Sequence, residues 1–272
     1  MTIQIMKTFK ESFKHVREHK LEWFKVAFAP IMISVAGLVL AILFFIAAGI
    51  EANQIFEGKV EATNLDSFAK FLGVSGIVIY FICFIITIVS LYINGYRYAV
   101  LNEGGDQWWV FHLDRRFVKM ILYSLLMILL LGVYLIVSVG IFGGAAYLFQ
   151  NTALNIILGV VIGLYGFYLI FRLGLLFLLI AIDKQSVLKS SWHLMKGNVL
   201  RFIGLMLLLG IVLTLINFVG TFLFSLIGMI SSTLAIVSSI LSTLFGLFMW
   251  LVNWAVISKA TARVYQALTE TT

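Results

Sequence analysis

Charged side chains are scarce in this chain of 272 residues, and cysteine and proline are almost absent. Only 11% of the residues are charged and 62% are hydrophobic, whereas a soluble globular domain carries about 25% charged residues. This composition excludes a soluble enzyme, a disordered chain and a secreted scaffold built on disulfide bonds. The single cysteine, Cys83, cannot form a disulfide within the chain, so it leaves the redox compartment open.

Long apolar runs dominate the sequence instead. A membrane-spanning helix needs about 20 mostly apolar residues. Six runs are long enough, at residues 26–50, 71–93, 121–149, 156–182, 202–228 and 234–257. They predict an all-α polytopic membrane protein with six transmembrane helices in three hairpins, folded as one domain over residues 1–272. The first run is too long for the apolar core of a signal peptide and contains the only proline, Pro30, where a kink is expected.

Basic residues are concentrated in alternate loops. Sixteen of the nineteen Lys and Arg residues lie before the first run, in the second and fourth loops, and after the last run. Only Lys59 and Lys70 lie in the first loop, and Arg172 lies within a run. Because loops rich in Lys and Arg stay in the cytoplasm, both termini are predicted to be cytoplasmic. The same clusters account for the net charge of +7, which points to anionic lipid headgroups and not to nucleic acid.

The segment before the first run has the pattern of an amphipathic helix. On a helical wheel of residues 3–18, the larger apolar side chains fall within one arc: Ile5, Met6, Phe9, Phe13 and Val16. Basic residues occupy the other faces, so residues 1–25 are expected to hold a helix lying in the cytoplasmic membrane interface. Packing of the same stripe against other parts of the protein is the alternative.

Two further segments repeat this pattern. Residues 186–196 predict a second amphipathic helix, with Ser186 as its N-cap and Gly197 just after its end. Residues 108–119 are similar but less periodic, and their aromatic residues suit the headgroup region. The three segments are weakly alike, which leaves open both a threefold internal repeat and a convergent chemistry of membrane entry.

Few groups in the sequence can carry chemistry inside a membrane. No Asp, Glu, Lys or His lies well inside an apolar run, so no proton relay, metal site or cofactor is expected. Residues 73–76 have the G-x-S-G form of rhomboid proteases, but Ser75 needs a base and no run supplies a His. The chain is therefore expected not to be an enzyme, and no catalytic residue is assigned.

Small and hydroxylated residues recur at a spacing of four. Those that predict close packing between helices in lipid are Gly140, Gly144, Gly159, Gly163, Ser238, Ser242 and Gly246. The Ser-rich sixth run has the alternative role of a polar pore wall, although its hydroxyls can also bond to their own helix backbone. Asn217 and Asn253 are expected to form hydrogen bonds between helices.

Arg172 is the one charged residue within an apolar run. Its guanidinium either donates to backbone carbonyls and to the hydroxyls of Tyr165 and Tyr168, or it holds a lipid phosphate in a polar cleft. Together with residues of the following loop, it forms the predicted lipid or anion site: Arg172, Tyr165, Tyr168, Lys189, Trp192, Lys196 and Arg201.

Residues 187–198 read V-L-K-S-S-W-H-L-M-K-G-N. They resemble the A-L-K-x-S-W-x-L-x-K-G-N stretch of a bacterial membrane-protein family that includes YciC-like proteins and the membrane domain of some glycerophosphodiester phosphodiesterases. Arg172 is similar to an arginine in a span of that family, and residues 260–265 resemble its closing segment. The family's proline after the arginine span is missing here, which leaves the position of a helix break open. The phosphodiesterase domain is also missing, so the resemblance implies a six-helix fold in the bacterial inner membrane without that activity.

These patterns predict a non-enzymatic protein of a bacterial inner membrane that binds lipid or a membrane partner, as a scaffold or an accessory subunit. Membrane lipids, anionic ones in particular, and another membrane protein are the expected partners. The alternative function is a transporter or channel for a lipid or a small anion, and an intramembrane enzyme is a more distant alternative. A hydrated path along the sixth run would favour transport, and grooves open to lipid would favour binding.

Overall fold

The computed structural model describes residues 2–50, 66–149 and 152–269 of the chain, and these residues form helices and connecting segments without a strand. The helices within them are α1 Ile5–Glu18, α2 Lys20–Ala47, α3 Ser67–Leu101, α4 Arg115–Phe149, α5 Thr152–Arg172, α6 Leu176–Ala181, α7 Val187–Leu194, α8 Val199–Gly228 and α9 Ser232–Thr269. Six helical segments are long and apolar enough to cross a membrane. The protein is therefore an all-α polytopic membrane protein, as predicted. Residues 51–65 of the first loop and residues 150–151 of the third lie outside the described residues.

The observed helices extend beyond the predicted apolar runs. α2 begins at Lys20, α4 begins at Arg115, and α9 continues to Thr269. Polar residues at the helix ends add turns that a count of apolar residues does not include. Lys259 and Arg263 therefore belong to a helix and not to a loose C-terminal tail.

The packed core lies at one end of the bundle. Its main cluster of buried side chains joins the first turns of α2 and α8, the last turns of α3 and α9, and the whole of α6. Leu176, Leu178 and Ile180 of α6 are at most 1% exposed. Among the described residues at the opposite end, the buried apolar cluster is small and lies around Ala48 and Ala69, and most apolar side chains of the spans are exposed. The far halves of the spans therefore depend on lipid to cover their apolar surface.

α1 packs against α8 and α9. Its buried residues are Thr8, Ser12 and Val16, and the backbone N–H of Ile3 donates to Oδ1 of Asn198 at 3.2 Å. This is the packing alternative that the sequence left open, and small polar side chains form the most buried part of the contact. A position of α1 in the membrane interface stays a prediction.

The fourth predicted span, residues 156–182, is not one continuous helix. α5 ends at Arg172, a turn follows, and α6 begins at Leu176. A Cβ atom on Gly174 in this turn would lie 2.4 Å from Cε1 of Phe202 on α8. The close approach of α8 thus accounts for a glycine in the turn, and the break forms without the proline of the resembled family.

The helix predicted at residues 186–196 is present as α7, Val187–Leu194. Gly197 beyond its end has a φ of 78°, which fits the prediction of a helix-terminating glycine. Ser186 occupies the N-cap position, as predicted, but it has a φ of 52° and its side chain forms no capping hydrogen bond. An N-cap residue normally has an extended backbone, which brings its oxygen to the free N–H groups.

The third predicted amphipathic segment is not a separate helix. Residues 108–114 are non-helical, and a helix begins only at Arg115. The carbonyl of Val110 accepts a hydrogen bond from Nδ2 of Asn94 on α3 at 2.8 Å. This contact takes up a backbone group that a helix would have used and holds the segment against the bundle.

The predicted packing motifs of small residues are used in part within the described residues. A Cβ on Gly159 would lie 3.2 Å from Cε2 of Phe142 on α4, and Ser238 donates to the carbonyl of Phe224 on α8. Open space surrounds the position of a Cβ at Gly140, Gly144, Gly163 and Gly246. These glycines lie on faces that the fold leaves towards lipid. The side-chain oxygens of Asn217 and Asn253 do not form the predicted hydrogen bonds between helices, because both are buried and accept none from a described residue.

Candidate functional site

Arg172 lies at the last residue of α5, where the chain turns towards α6. Its guanidinium carbon lies 3.8 Å from the ring centroid of Trp192 on α7, and its Nη1 donates to the hydroxyl of Tyr168 at 3.2 Å. A guanidinium stacked on an aromatic face keeps its edge donors available for an anion. Nε of Arg172 is buried and donates no hydrogen bond to a described residue, and no described carboxylate forms an ion pair with this cation.

An apolar cavity of about 220 Å³ lies between α4 and α5, beside this cation. Leu173 and Trp192, which are the chain neighbour and the ring partner of Arg172, form part of its wall. Tyr134 and Gly166 lie deeper in it. The arrangement places a positive charge next to space suited to a hydrocarbon chain.

The structure brings together only three of the seven predicted site residues, namely Arg172, Tyr168 and Trp192. Tyr165 is 58% exposed and makes no recorded contact with the guanidinium. The three remaining basic residues are exposed, and their side chains form no ion pair or hydrogen bond with described residues: Lys189, Lys196 and Arg201. They add positive charge to this end of the bundle without direct contact to Arg172.

Sequence reasoning missed Lys259 as a buried residue. Its side chain is within α9, the residue is 7% exposed, and Nζ donates to the carbonyl of Ala99 at 2.9 Å. The small residues that follow it, Ala260, Thr261 and Ala262, are fully buried and were the available signal for close packing here.

His15 of α1 lies next to this lysine. Its Nδ1 accepts a hydrogen bond from Nε1 of Trp23 at 3.4 Å, and its ring centroid lies 4.6 Å from that of His19. Burial, followed by the positive charge of Lys259, lowers the pKa of His15 from 6.5 to about 4. His15 is therefore neutral at physiological pH and acts as a hydrogen-bond acceptor between α1 and α2.

A network of ion pairs ties α3, α4 and the segment after α6 together. Nε of Arg116 lies 2.5 Å from Oδ2 of Asp183, and Nη1 of Arg97 lies 3.7 Å from the same oxygen. Arg97 also donates to the carbonyl of Ala181 at 3.0 Å and pairs with Glu103. Arg116 also pairs with Asp114 at 3.1 Å. Because both cations are paired with acids, this network positions helices and offers no free charge to a ligand.

Three described hydroxyls of the Ser-rich sixth run donate to backbone carbonyls. Ser239 and Thr243 donate to carbonyls of their own helix at 2.8 and 2.9 Å, and Ser238 donates to the carbonyl of Phe224 on α8. Back-bonded hydroxyls of this kind no longer present donors to a water path. Likewise, Ser75 of the G-x-S-G segment donates to the carbonyl of Phe71. The described residues also hold no group of three or more His, Cys, Asp or Glu able to bind a metal ion.

No protein-family model, curated protein or solved structure matches this chain. The resemblance to YciC-like proteins therefore stays a prediction that rests on residues 187–198.

Proposed function

We propose that this chain is a non-enzymatic protein of a bacterial inner membrane, with cytoplasmic termini, that binds an anionic lipid at Arg172. The observation that carries the proposal is the guanidinium of Arg172, which stacks on Trp192 and has no acidic partner among the described residues. Arg172 lies within the membrane-spanning segment Thr152–Ala181, where a cation is costly without a counter-charge. A lipid phosphate supplies that charge from outside the protein.

The apolar cavity beside Arg172 supports a lipid over a free anion. A phosphate held by the guanidinium places the glycerol and an acyl chain next to Trp192 and Leu173, which form part of the cavity wall. Bidentate contact to a phosphate uses two N–H donors of the guanidinium. Another N–H donor of Arg172, on Nη1, donates to the hydroxyl of Tyr168, and this hydrogen bond orients the guanidinium. The protein would act through this bound lipid as a scaffold or an accessory subunit of a membrane complex.

The test replaces Arg172 with glutamine, which keeps hydrogen-bond donors and removes the charge. Native mass spectrometry of protein released from phosphatidylcholine discs containing a minor fraction of phosphatidylglycerol should show fewer retained phosphatidylglycerol molecules for Arg172→Gln. Arg115→Gln is the matched control, because Arg115 is exposed and forms no ion pair with described residues. Equal retention by the wild type and by folded Arg172→Gln would refute the proposal.

A further inference from the structure

A groove of about 580 Å³ opens between α2 and the α8–α9 pair, with the end of α1 beside it, and Arg172 and its contacts are not part of its lining. α2 and α9 each pack on α3, and they meet each other at the edge-on rings of Trp23 and Trp254, whose centroids lie 5.3 Å apart. These two rings form the floor of the groove. Its walls are almost entirely apolar, with Phe248 of α9 and Leu213 of α8 among them.

Two cations, Arg17 and Lys20, stand at one end of this groove, where α1 passes into α2. Both residues are exposed, and neither forms an ion pair with a described acid. The nearest ion pairs of this region use other residues: Lys14 with Glu18, and His19 with Glu22. The groove therefore has an apolar body and a cationic end, which is the complement of an anionic amphiphile.

The length of the groove matches one leaflet of a bilayer. On α9 it runs from Leu247 to Val256, and nine residues at about 1.5 Å each give a length of roughly 14 Å. The hydrocarbon core of a bilayer is about 30 Å thick, so half of it is roughly 15 Å. A transmembrane helix of another protein would need a groove about twice as long. Lys20 is the first residue of a membrane-spanning helix, which places the cations at headgroup level.

We propose that this groove holds one anionic phospholipid from the adjoining leaflet, with its phosphate on Arg17 and Lys20 and an acyl chain against Trp23 and Phe248. Each basic residue near an anionic headgroup contributes attraction that is partly lost to salt, and an adjacent apolar groove adds burial of the chain. The site is separate from that of Arg172, and neither proposal depends on the other.

The headgroup contact is tested with two double variants of equal charge. The first variant combines Arg17→Gln with Lys20→Gln and removes the cations of the groove. The control combines Lys7→Gln with Lys10→Gln and removes two exposed cations of α1 that lie outside the groove. In discs of phosphatidylcholine with a minor fraction of phosphatidylglycerol, native mass spectrometry should show retention of phosphatidylglycerol falling by about fivefold per charge for the first pair. An equal loss in both pairs would mean non-specific attraction and would overturn the proposal, as would no loss in the first pair.

The acyl-chain contact is tested by filling the groove. Val252 lies in its wall and is half-buried, so Val252→Trp should lower phosphatidylglycerol retention several-fold, and Val252→Phe should do so to a smaller extent if the larger variant does not fold. Leu244→Trp is the control, because Leu244 is 57% exposed on the same helix outside the groove. Retention unchanged in a folded Val252 variant would refute the chain contact.

The same measurements separate this site from that of Arg172. If the groove binds a lipid independently, the double variant of Arg17 and Lys20 should reduce phosphatidylglycerol retention by the same factor with and without Arg172→Gln. A different outcome is a dimer that persists without lipid and dissociates in Val252→Trp. It would identify a second copy of the chain as the occupant of the groove, and the lipid proposal would then be wrong.

Discussion

Nδ2 of Asn94 on α3 lies 3.1 Å from the carbonyl oxygen of Val26 on α2. This carbonyl would ordinarily accept from the N–H four residues later, but that residue is Pro30, which has no N–H. Asn94 thus supplies the hydrogen bond that the proline removes, and its second amide hydrogen holds the carbonyl of Val110 at 2.8 Å.

The first prediction follows from this replacement. Asn94→Ala should destabilise the protein by about 1–3 kcal/mol, because two buried carbonyls lose their donor. In a Pro30→Ala background the loss should be smaller, since the new N–H of residue 30 serves Val26. Thermal unfolding in detergent measures both, and Asn217→Ala is the control with little expected effect, because the side-chain oxygen of Asn217 accepts no hydrogen bond from described residues. Identical losses in both backgrounds would exclude the proposed link.

A second prediction compares two glycines on α5. A Cβ on Gly166 would lie 2.3 Å from Cε1 of Tyr134, whose hydroxyl donates to the carbonyl of Ile162, whereas a Cβ on Gly163 would meet open space. Gly166→Ala should therefore cost about 1–3 kcal/mol from overpacking, and Gly163→Ala should be neutral or slightly stabilising. Denaturation of both variants in the same detergent decides the matter, and equal stability would contradict the packing of α4 on α5.

The third prediction is a pH dependence carried by His15. Burial holds its pKa in the folded protein at about 4, against 6.5 in an unfolded chain. As the pH falls, the unfolded chain therefore binds the proton first. The free energy of unfolding should decrease between pH 6.5 and about pH 4, and at lower pH it should no longer depend on His15. His15→Asn keeps an acceptor for Trp23 and should flatten this dependence in thermal unfolding. A His15→Asn slope equal to that of the wild type would disprove the assignment.

A fourth prediction concerns Asp183, which lies 2.5 Å from Nε of Arg116 and has a φ of 57°. Asparagine tolerates this backbone conformation, so Asp183→Asn tests the charge alone. Stability should fall by about 1 kcal/mol at low salt and by less at high salt, because half-exposed ion pairs are screened. Asp106→Asn is the control, since Asp106 is exposed and forms no ion pair with described residues. A loss that does not change with salt would argue against the ion pair.

The fifth prediction is the orientation in the membrane. In a Cys83→Ala background, Asn64→Cys should react in spheroplasts with a thiol reagent that does not cross membranes, and Thr271→Cys should react only after lysis. The asymmetry of Lys and Arg supports this orientation, and both positions lie outside the described residues. The opposite labelling pattern would invert the topology.

The six spans were predictable because length and apolar composition are local properties of a sequence. The contact between Arg172 and Tyr168 was predictable for a similar reason, as residues four apart share one helix face. The contact between Arg172 and Trp192 was not, because it depends on the turn after α5 and on how α7 folds back. A tertiary contact of this kind has no periodic signal.

The burial of Lys259 and the groove also depend on tertiary packing and could not be predicted from the sequence. Lys259 follows an apolar run and therefore has the sequence pattern of a tail at the membrane surface. It is buried because α9 continues without a break and α1, from the other end of the chain, packs across it. The groove between α2 and α9 could not be predicted either, since it exists only because both helices pack on α3 and leave a gap between them.

The packing of α1 on α8 and α9 has a consequence for biogenesis. α1 is synthesised first among the described helices, but its partners Asn198 and Arg263 follow it by most of the length of the chain. At about 5–20 residues per second, α1 waits roughly 10–50 s before α9 is complete. We expect its apolar stripe, with Phe9, Phe13 and Val16, to lie on the membrane surface during that interval. In the folded protein the buried Thr8 and Ser12 belong to the face of α1 that packs against α8 and α9.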